Sequence, residues 1–362
     1  LPGPSLEAIL RCEHKAWARM EQKACVPENT PGFCVFDPLA EDPWRQIELK
    51  PPFWIKPLKS HSSYLGFRID ERADLEAALP RIRAGIDRFA RPLEWILERA
   101  ELPAEIRALS PRAFVAEEII SQGRQCTLEG YTWQGRPRVY GVVDSIREGR
   151  HGSCFGRYQY PSRLPARVQE RMAEVACRFI RHVGLERSDW NAEFYWNEAD
   201  DSLFLLEVNT RCSQSHAPLF WLVDGRSHFE VMVDLALGRE PRLPHREGRH
   251  ATAAKFMVRV YQADGRVRRV PDASDLHRVS GLAPDTLVKV AVESGMRLSQ
   301  MQHQDSYSYE IATLFMGARD TEELEAHYAR ALELLDFEID PLERNEEGQE
   351  RPCRNGATSL TR

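Results

Sequence analysis

The sequence has 362 residues, 42% of them hydrophobic and 29% charged, which is typical of a globular protein with two or three packed units. A net charge of −6 without an extended basic block argues against electrostatic, non-specific binding to nucleic acid. No apolar run approaches the length of a membrane span. Eight scattered cysteines without a CxxC pair predict reduced thiols in a cytoplasmic protein.

Residue patterns predict short elements along the first two thirds of the chain. The periodicity of apolar residues and the turn residues between apolar runs carry this prediction. They predict helices over residues 5–23, 71–86, 91–109 and 163–184, with strands at 33–36, 53–57, 64–69, 114–120, 125–134 and 137–147.

A lysine ends one of these strands. Lys56 follows the apolar residues of strand 53–57 and precedes the hydroxyl-rich loop 58–63. An ammonium next to a loop with free N–H groups predicts a phosphate clamp.

The stretch 191–216 carries the densest chemical signal. Two apolar runs, 193–196 and 203–208, flank a polar turn and predict a β-hairpin. Glu193 and Glu207 sit among residues that favour burial, where a carboxylate needs a partner or a metal. Asn209 and Arg211 follow Glu207 at alternating positions, so these side chains leave one face of an extended segment. Carboxylate and amide oxygens suit Mg²⁺, and an arginine fork suits phosphate or carboxylate.

The last third is predicted to be rich in strands. The pattern gives a helix at 228–237, strands at 251–261, 267–270 and 286–293, and a closing helix at 322–335. Residues 341–362 are polar and are predicted to be disordered.

The string E-V-N-T-R-x-x-x-x-H, which begins at Glu207 and is preceded by Glu193, resembles the metal-binding end of the ATP-grasp superfamily. The similarity is closest to its L-amino-acid ligase and biotin carboxylase branches. The resemblance implies an α+β, ATP-grasp fold, in which two α+β lobes sandwich ATP beside a C-terminal β-rich lid. It implies this division: 1–50 entry helix and linker, 51–130 small lobe, 131–238 large lobe with the metal site, 239–340 lid, and 341–362 tail.

The same resemblance assigns roles to individual residues. Phosphates would meet Lys15, Lys56 and the loop residues Ser62 and Ser63, which stand where the family has glycines. Glu117, with the backbone of Glu118 and Ile120, would face adenine, and Gln125 would contact the ribose. Mg²⁺, or Mn²⁺, would bind Glu193, Glu207 and Asn209. Arg211 would act on the transferring phosphoryl group. His216 would contact substrate or Arg211, with a packed surface histidine as the equal alternative.

The reaction that the resemblance implies is ATP-dependent joining of a small carboxylate to a small amine through an acyl phosphate. Two alternatives remain open. A biotin-carboxylase-type enzyme would carry an acid just before the matching histidine, where this sequence has Ser215. A nucleotide-binding regulator without turnover would not need the complete Glu/Glu/Asn/Arg set, although the glycine-poor loop and Gln125 fit such a protein.

The expected partners are therefore small molecules, not nucleic acid or a membrane, and the sequence leaves a homodimer open. Family members usually have a Rossmann-like domain ahead of the nucleotide domain. This sequence starts about where that domain ends, so a truncation, a separate chain or domain, and a variant architecture all stay open.

Overall fold

A computed structural model describes residues 3–60, 64–148, 154–261, 264–301, 308–344 and 350–352. The chain divides into two compact units. The first comprises Leu1–Val142, Leu164–Cys212 and Val231–Pro241, and the second comprises Val143–Arg163, Ser213–Glu230 and Arg242–Arg362.

The helices and strands are numbered in chain order. The helices are α1 Leu6–Glu13, α2 Lys15–Cys25, α3 Arg72–Gly85, α4 Asp87–Leu97, α5 Ala104–Arg107, α6 Ala166–Val183, α7 Ala217–Asp224, α8 Phe229–Ala236, α9 Ala273–Ser280 and α10 Thr321–Leu334. The strands are β1 Phe33–Phe36, β2 Phe53–Pro57, β3 Phe67–Ile69, β4 Phe114–Glu118, β5 Arg124–Trp133, β6 Arg136–Glu148, β7 Cys154–Tyr160, β8 Asp189–Asn197, β9 Ser202–Asn209, β10 Thr252–Val260, β11 Gly265–Arg269, β12 Leu287–Val290, β13 Tyr309–Ala318, β14 Glu338–Arg344 and β15 Glu350–Pro352.

The first unit begins with two helices where a single helix was predicted. Ser5 caps α1 by accepting from the Ala8 N–H at 3.1 Å, as expected. The backbone then becomes extended at His14 (φ −84°, ψ 103°). The Nδ1 atom of His14 caps α2 by accepting from the Trp17 N–H at 3.2 Å. The prediction of one continuous helix is wrong here, because the apolar stripe continues through a break made by a side-chain cap.

A four-stranded antiparallel sheet with the order β1-β4-β2-β3 follows in the first unit. One apolar core beneath it contains Phe36, Phe53, Ile55 and Leu79, the last from α3. A second core on Trp17 and Val115 includes residues of α4. The predicted helix over 91–109 is replaced by the end of α4, a turn and the short α5.

The second sheet of the first unit runs β6-β5-β8-β9, with the antiparallel pairs β5–β8 and β8–β9. Helix α6 covers it with the predicted apolar stripe, which includes Met172 and Phe179. Gly184 ends α6 in the left-handed conformation (φ 71°), as its position predicted. This sheet carries the hairpin that the sequence singled out.

The second unit contains strands in the order β12-β13-β10-β7, and β7 pairs with residues 144–148 of β6. Its core includes Phe256 and Leu314 from the sheet and Leu324 and Ala331 from α10. A smaller sheet has the order β11-β14-β15. Strand β14 extends to Arg344, so residues 341–344 are a strand where the sequence predicted a disordered tail.

Candidate functional site

The β8–β9 hairpin places the predicted metal-binding residues on neighbouring strands. Glu193 pairs directly with Glu207 across the two strands, and Asn191 pairs with Asn209. The register shifts between Glu193 and Phe194, which marks a bulge beside the carboxylates. Two like charges placed opposite each other destabilise a hairpin unless cations lie close by.

Gln125 orients one of these carboxylates. Its Nε2 donates to Glu193 Oε2 at 3.0 Å, and its Oε1 accepts from the Tyr195 hydroxyl at 2.8 Å. Both ends of this buried amide are therefore committed to the hairpin. The contact between Gln125 and a ribose stays a prediction. Strand β5 pairs with β8, and the amide bonds to Glu193 and Tyr195 of that strand.

Lysines supply cationic charge around the other carboxylate. Lys15 Nζ lies 3.7 Å from Glu207 Oε2 and donates to the Ser60 carbonyl at 3.4 Å. Burial raises the pKa of Glu207, but Lys15 and Lys56 outweigh that effect and hold the pKa below its usual range. Glu207 is therefore ionised at neutral pH, as a metal ligand must be. Its side chain keeps 35% exposure, which leaves it accessible.

Lys56 belongs to a buried ion cluster in the first unit. Its Nζ lies 2.5 Å from Glu117 Oε1, and Arg19 donates to Glu117 Oε2 through Nε at 3.0 Å and a terminal nitrogen at 2.8 Å. Both oxygens of Glu117 are thus held by cations, and its contact with adenine stays a prediction. Arg19 also donates to the Leu205 carbonyl on β9 at 3.2 Å, which links β4 to the hairpin.

Replacing Arg19 with methionine is expected to lower the free energy of unfolding by about 3 kcal/mol, because Glu117 loses one of two partners while staying buried. Chemical denaturation measures this change. The matched control is Lys23→Met on the exposed side of the same helix. A loss below about 1 kcal/mol, the range of an exposed pair, would show that the cluster does not hold the two sheets together.

The remaining predicted nucleotide contacts lie at the end of β4, just after it, and in the loop after β2. The Glu118 N–H donates to the Gly32 carbonyl at 2.9 Å, and Glu118 Oε2 accepts from the Gly32 N–H at 2.7 Å. The backbone N–H of Glu118 is therefore already used within the sheet. Ile120 is half-buried and follows the strand. Ser62 and Ser63 lie outside the described residues.

Hydrogen bonds fix segment 209–212 through the Asn209 side chain and through the backbone of Arg211 and Cys212. Asn209 donates its amide to Asn191 Oδ1 at 2.9 Å, and Asn191 donates to the Arg211 carbonyl at 2.8 Å. The Cys212 N–H donates to an oxygen of Asp189. Burial raises the pKa of Asp189 above its usual range, against this hydrogen bond. Asn209 uses its amide nitrogen in the contact with Asn191, so its amide oxygen can still bind a metal. The hydrogen bond from Asn191 fixes the backbone carbonyl of Arg211.

Arg211 itself is exposed, and one of its guanidinium nitrogens donates to the Cys212 carbonyl at 3.2 Å. The backbone is fixed while the guanidinium reaches solvent, which suits a group that meets a ligand. Asn191 is a residue of the candidate site that the sequence reasoning missed. Its alternation with Glu193 along β8 was the available signal.

His216 lies in the second unit, where it precedes α7 and is 3% exposed. Its ring meets that of Tyr158 edge to face, with centroids 5.0 Å apart. The ring is packed, as the alternative of a packed histidine had it, but it is buried and not at the surface. Its contact with substrate or Arg211 stays a prediction. The neighbouring Ser215 hydroxyl accepts from Lys255 Nζ at 3.1 Å.

The donor set of the hairpin fits a hard divalent cation. Within the described part of the chain, His, Cys, Asp and Glu side chains nowhere form a group of three arranged to hold a metal. The predicted metal site is not a group of that kind, because its third ligand is the amide oxygen of Asn209 beside two facing carboxylates. Mg²⁺ commonly takes few protein oxygens and completes its shell with waters and phosphates.

Comparisons with known proteins agree with the resemblance to ATP-grasp proteins. Residues 159–241 match the family model described as the carbamoyl-phosphate synthase L chain, ATP binding domain. An uncharacterized protein, y4rH, from Sinorhizobium fredii is 24% identical over 344 residues, or 94% of this chain. The chain spans 64% of that relative's length.

Two solved structures share the fold over 93% of this chain. The L-amino acid ligase from Bacillus licheniformis is 18% identical with a TM-score of 0.67, and 74% of its chain is covered. Biotin carboxylase from Campylobacter jejuni is 16% identical with a TM-score of 0.62, and 69% of its chain is covered. The resemblance to the ATP-grasp superfamily and the predicted fold are confirmed. Among the helices that the structure describes, none is both long and apolar enough to cross a membrane.

Proposed function

We propose that this protein is an ATP-dependent carboxylate–amine ligase, acting on amino acids or peptides, that releases ADP and phosphate. The observation that supports it is the pair of facing carboxylates, Glu193 and Glu207, with Lys15 beside Glu207 at 3.7 Å. Facing carboxylates with an adjacent ammonium suit the metal and the phosphates of a nucleotide.

The reaction proceeds in two steps. A substrate carboxylate oxygen attacks the γ-phosphorus of ATP, and the bond from that phosphorus to the bridging β–γ oxygen breaks, giving ADP and an acyl phosphate. The amine then attacks the acyl carbon, and phosphate leaves with the former carboxylate oxygen while the amine loses a proton. Such chemistry depends on positioning and charge neutralisation more than on a protein nucleophile.

Each residue of the site has a role in this scheme. Bound Mg²⁺ would neutralise phosphate charge and would be held by Glu193, Glu207 and Asn209. Lys15 and Lys56 bind phosphate oxygens as point charges. Arg211 stabilises the transferring phosphoryl group and the tetrahedral intermediate, for which its fork geometry is suited.

The ligase is favoured over a carboxylase because of the residue before His216. Ser215 is no base, and its hydroxyl accepts a hydrogen bond from Lys255. The ligase is favoured over a silent regulator because the Glu193, Glu207 and Asn209 side chains remain together on the hairpin.

A screen of amino acids for ADP and phosphate release tests the proposal. We expect Mg²⁺-dependent release with particular pairs of a carboxylate and an amine, and a much lower rate when the amine is omitted. Release that requires bicarbonate instead would identify a carboxylase. ATP binding without release across all pairs would favour the regulator.

ATP binding is expected to weaken as the pH rises above about 8. Burial lowers the pKa of Lys56 to about 8, against the attraction of Glu117. Below this pH the group is an ammonium that can meet phosphate, and above it the free protein loses that charge. Calorimetry between pH 7 and 9 measures the change, and Lys56→Met serves as a control without the titrating group. An equal fall in both proteins would assign the pH dependence to another group.

A further inference from the structure

The segment that follows β2 is held by hydrogen bonds at the break between α1 and α2. Lys15, the first residue of α2, donates its backbone N–H to the Leu58 carbonyl at 2.9 Å and its ammonium to the Ser60 carbonyl at 3.4 Å. Segment 58–60 is therefore held on both sides of Lys59 by one residue at the helix break.

Glu13, the last residue of α1, joins the same segment to the end of the hairpin. Its Oε1 accepts from the backbone N–H of Thr210 at 3.0 Å and from the Thr210 hydroxyl at 3.1 Å. Its Oε2 pairs with the Lys59 ammonium. One carboxylate thus fixes the residue between Asn209 and Arg211 and also fixes a lysine of the segment after β2.

Lys59 adds a third ammonium to the surroundings of Glu207. The charges of Lys15, Lys56 and Lys59 all favour the ionised form of that carboxylate. Lys59 keeps 38% exposure, whereas Glu13 keeps 17%. An ammonium has three N–H donors, so Lys59 can bind a further anion while it stays paired with Glu13.

The sequence gives a reason for a lysine at this place. No glycine occurs between Pro57 and Gly66. Glycine permits a closer backbone approach to phosphate than residues that carry a side chain. A long flexible side chain with a point charge supplies the missing attraction from a greater distance.

We propose that Lys59 binds the polyphosphate of the nucleotide and that Glu13 is the residue that positions it, together with segment 209–211. This inference rests on the proposed function and adds two residues to its site. It also explains why a half-buried carboxylate lies beside a site that must accept an anion, since the oxygens of Glu13 pair with Lys59 and Thr210.

Calorimetry with ATP and with adenosine on Lys59→Met, Glu13→Gln and the double variant tests the proposal. We expect Lys59→Met to weaken ATP binding about tenfold and to leave adenosine binding unchanged. Glu13→Gln keeps an oxygen for Thr210 but loses the pair with Lys59, so its ATP affinity should fall in the same direction. The double variant should be no weaker than Lys59→Met, because both changes remove one interaction.

Lys50→Met, an exposed lysine of the same unit, is the matched control and should bind ATP like the unmodified protein. Thermal unfolding of each variant checks that the fold persists. If the unmodified protein binds ATP and Lys59→Met binds it equally well, or loses ATP and adenosine affinity alike, this inference is wrong while the proposed function stands. If the unmodified protein binds no ATP, the proposed function and this inference both fail.

Discussion

Replacing Glu207 with glutamine is expected to lower Mg²⁺-dependent ADP release by about 10³-fold and to leave the fold intact. Glu207 faces Glu193 across the hairpin, and nearby lysines hold its pKa below the usual range, so it is a charged oxygen donor at neutral pH. Glutamine keeps the shape of the side chain but removes the charge that a divalent cation needs.

The fold should survive because the substitution removes a like-charge pair from facing positions. The partner of Glu207, Lys15, lies 3.7 Å away and is already held by the Ser60 carbonyl. We expect the free energy of unfolding to change by less than about 1 kcal/mol. Glu198→Gln, the same change in the exposed turn of this hairpin, is the control. Wild-type turnover by Glu207→Gln would show that Glu207 does not bind the metal.

Replacing Arg211 with alanine is expected to lower kcat by ~10²-fold or more and to change KM for ATP much less. The backbone around Arg211 is fixed by Asn191 and Asp189, while its guanidinium is exposed. A contact that forms as charge moves in the transition state affects kcat more than ground-state binding.

Arg211→Lys keeps the charge and loses the two-pronged geometry, so it should be impaired as well. Arg136→Lys, an exposed position on β6, provides the control for a generic arginine-to-lysine change. Steady-state ADP release measures both variants once an active substrate pair is known. An unchanged kcat for Arg211→Lys, or an alanine variant altered only in KM for ATP, would make Arg211 a phosphate-binding or structural residue.

The hairpin was predictable because its signals are local. Alternating apolar residues, a polar turn and acids at strand positions all lie within 191–216, and β8 and β9 form where expected. The amphipathic stripe of α6 and its terminal Gly184 are local signals of the same kind. Strand β13 was missed, since its long apolar run, ATLFMG, has no clear period.

The side-chain contacts of the site were less predictable because they join distant parts of the chain. Glu117 and Gln125 were assigned to the nucleotide from the resemblance to the ATP-grasp superfamily. Their partners, Arg19 and Glu193, lie 98 and 68 residues away. Sequence patterns do not show which strand pairs with β5 or which helix covers β4.

Glu13 illustrates the same limit. It is one acid on an amphipathic helix, a place where most carboxylates face solvent. Its contact with Thr210 spans 197 residues. The available hint was the helix break at His14, which places Glu13 and Lys15 on either side of a cap rather than along one continuous helix.

Transfer of a carboxylate oxygen into phosphate tests the central claim most directly. The acid identified in the screen would be labelled with ¹⁸O in its carboxylate and incubated with ATP, Mg²⁺ and the amine. An acyl phosphate intermediate requires one ¹⁸O atom to appear in the inorganic phosphate, with ADP as the other product. Unlabelled phosphate, or ¹⁸O recovered in AMP, would contradict the proposed ligase mechanism.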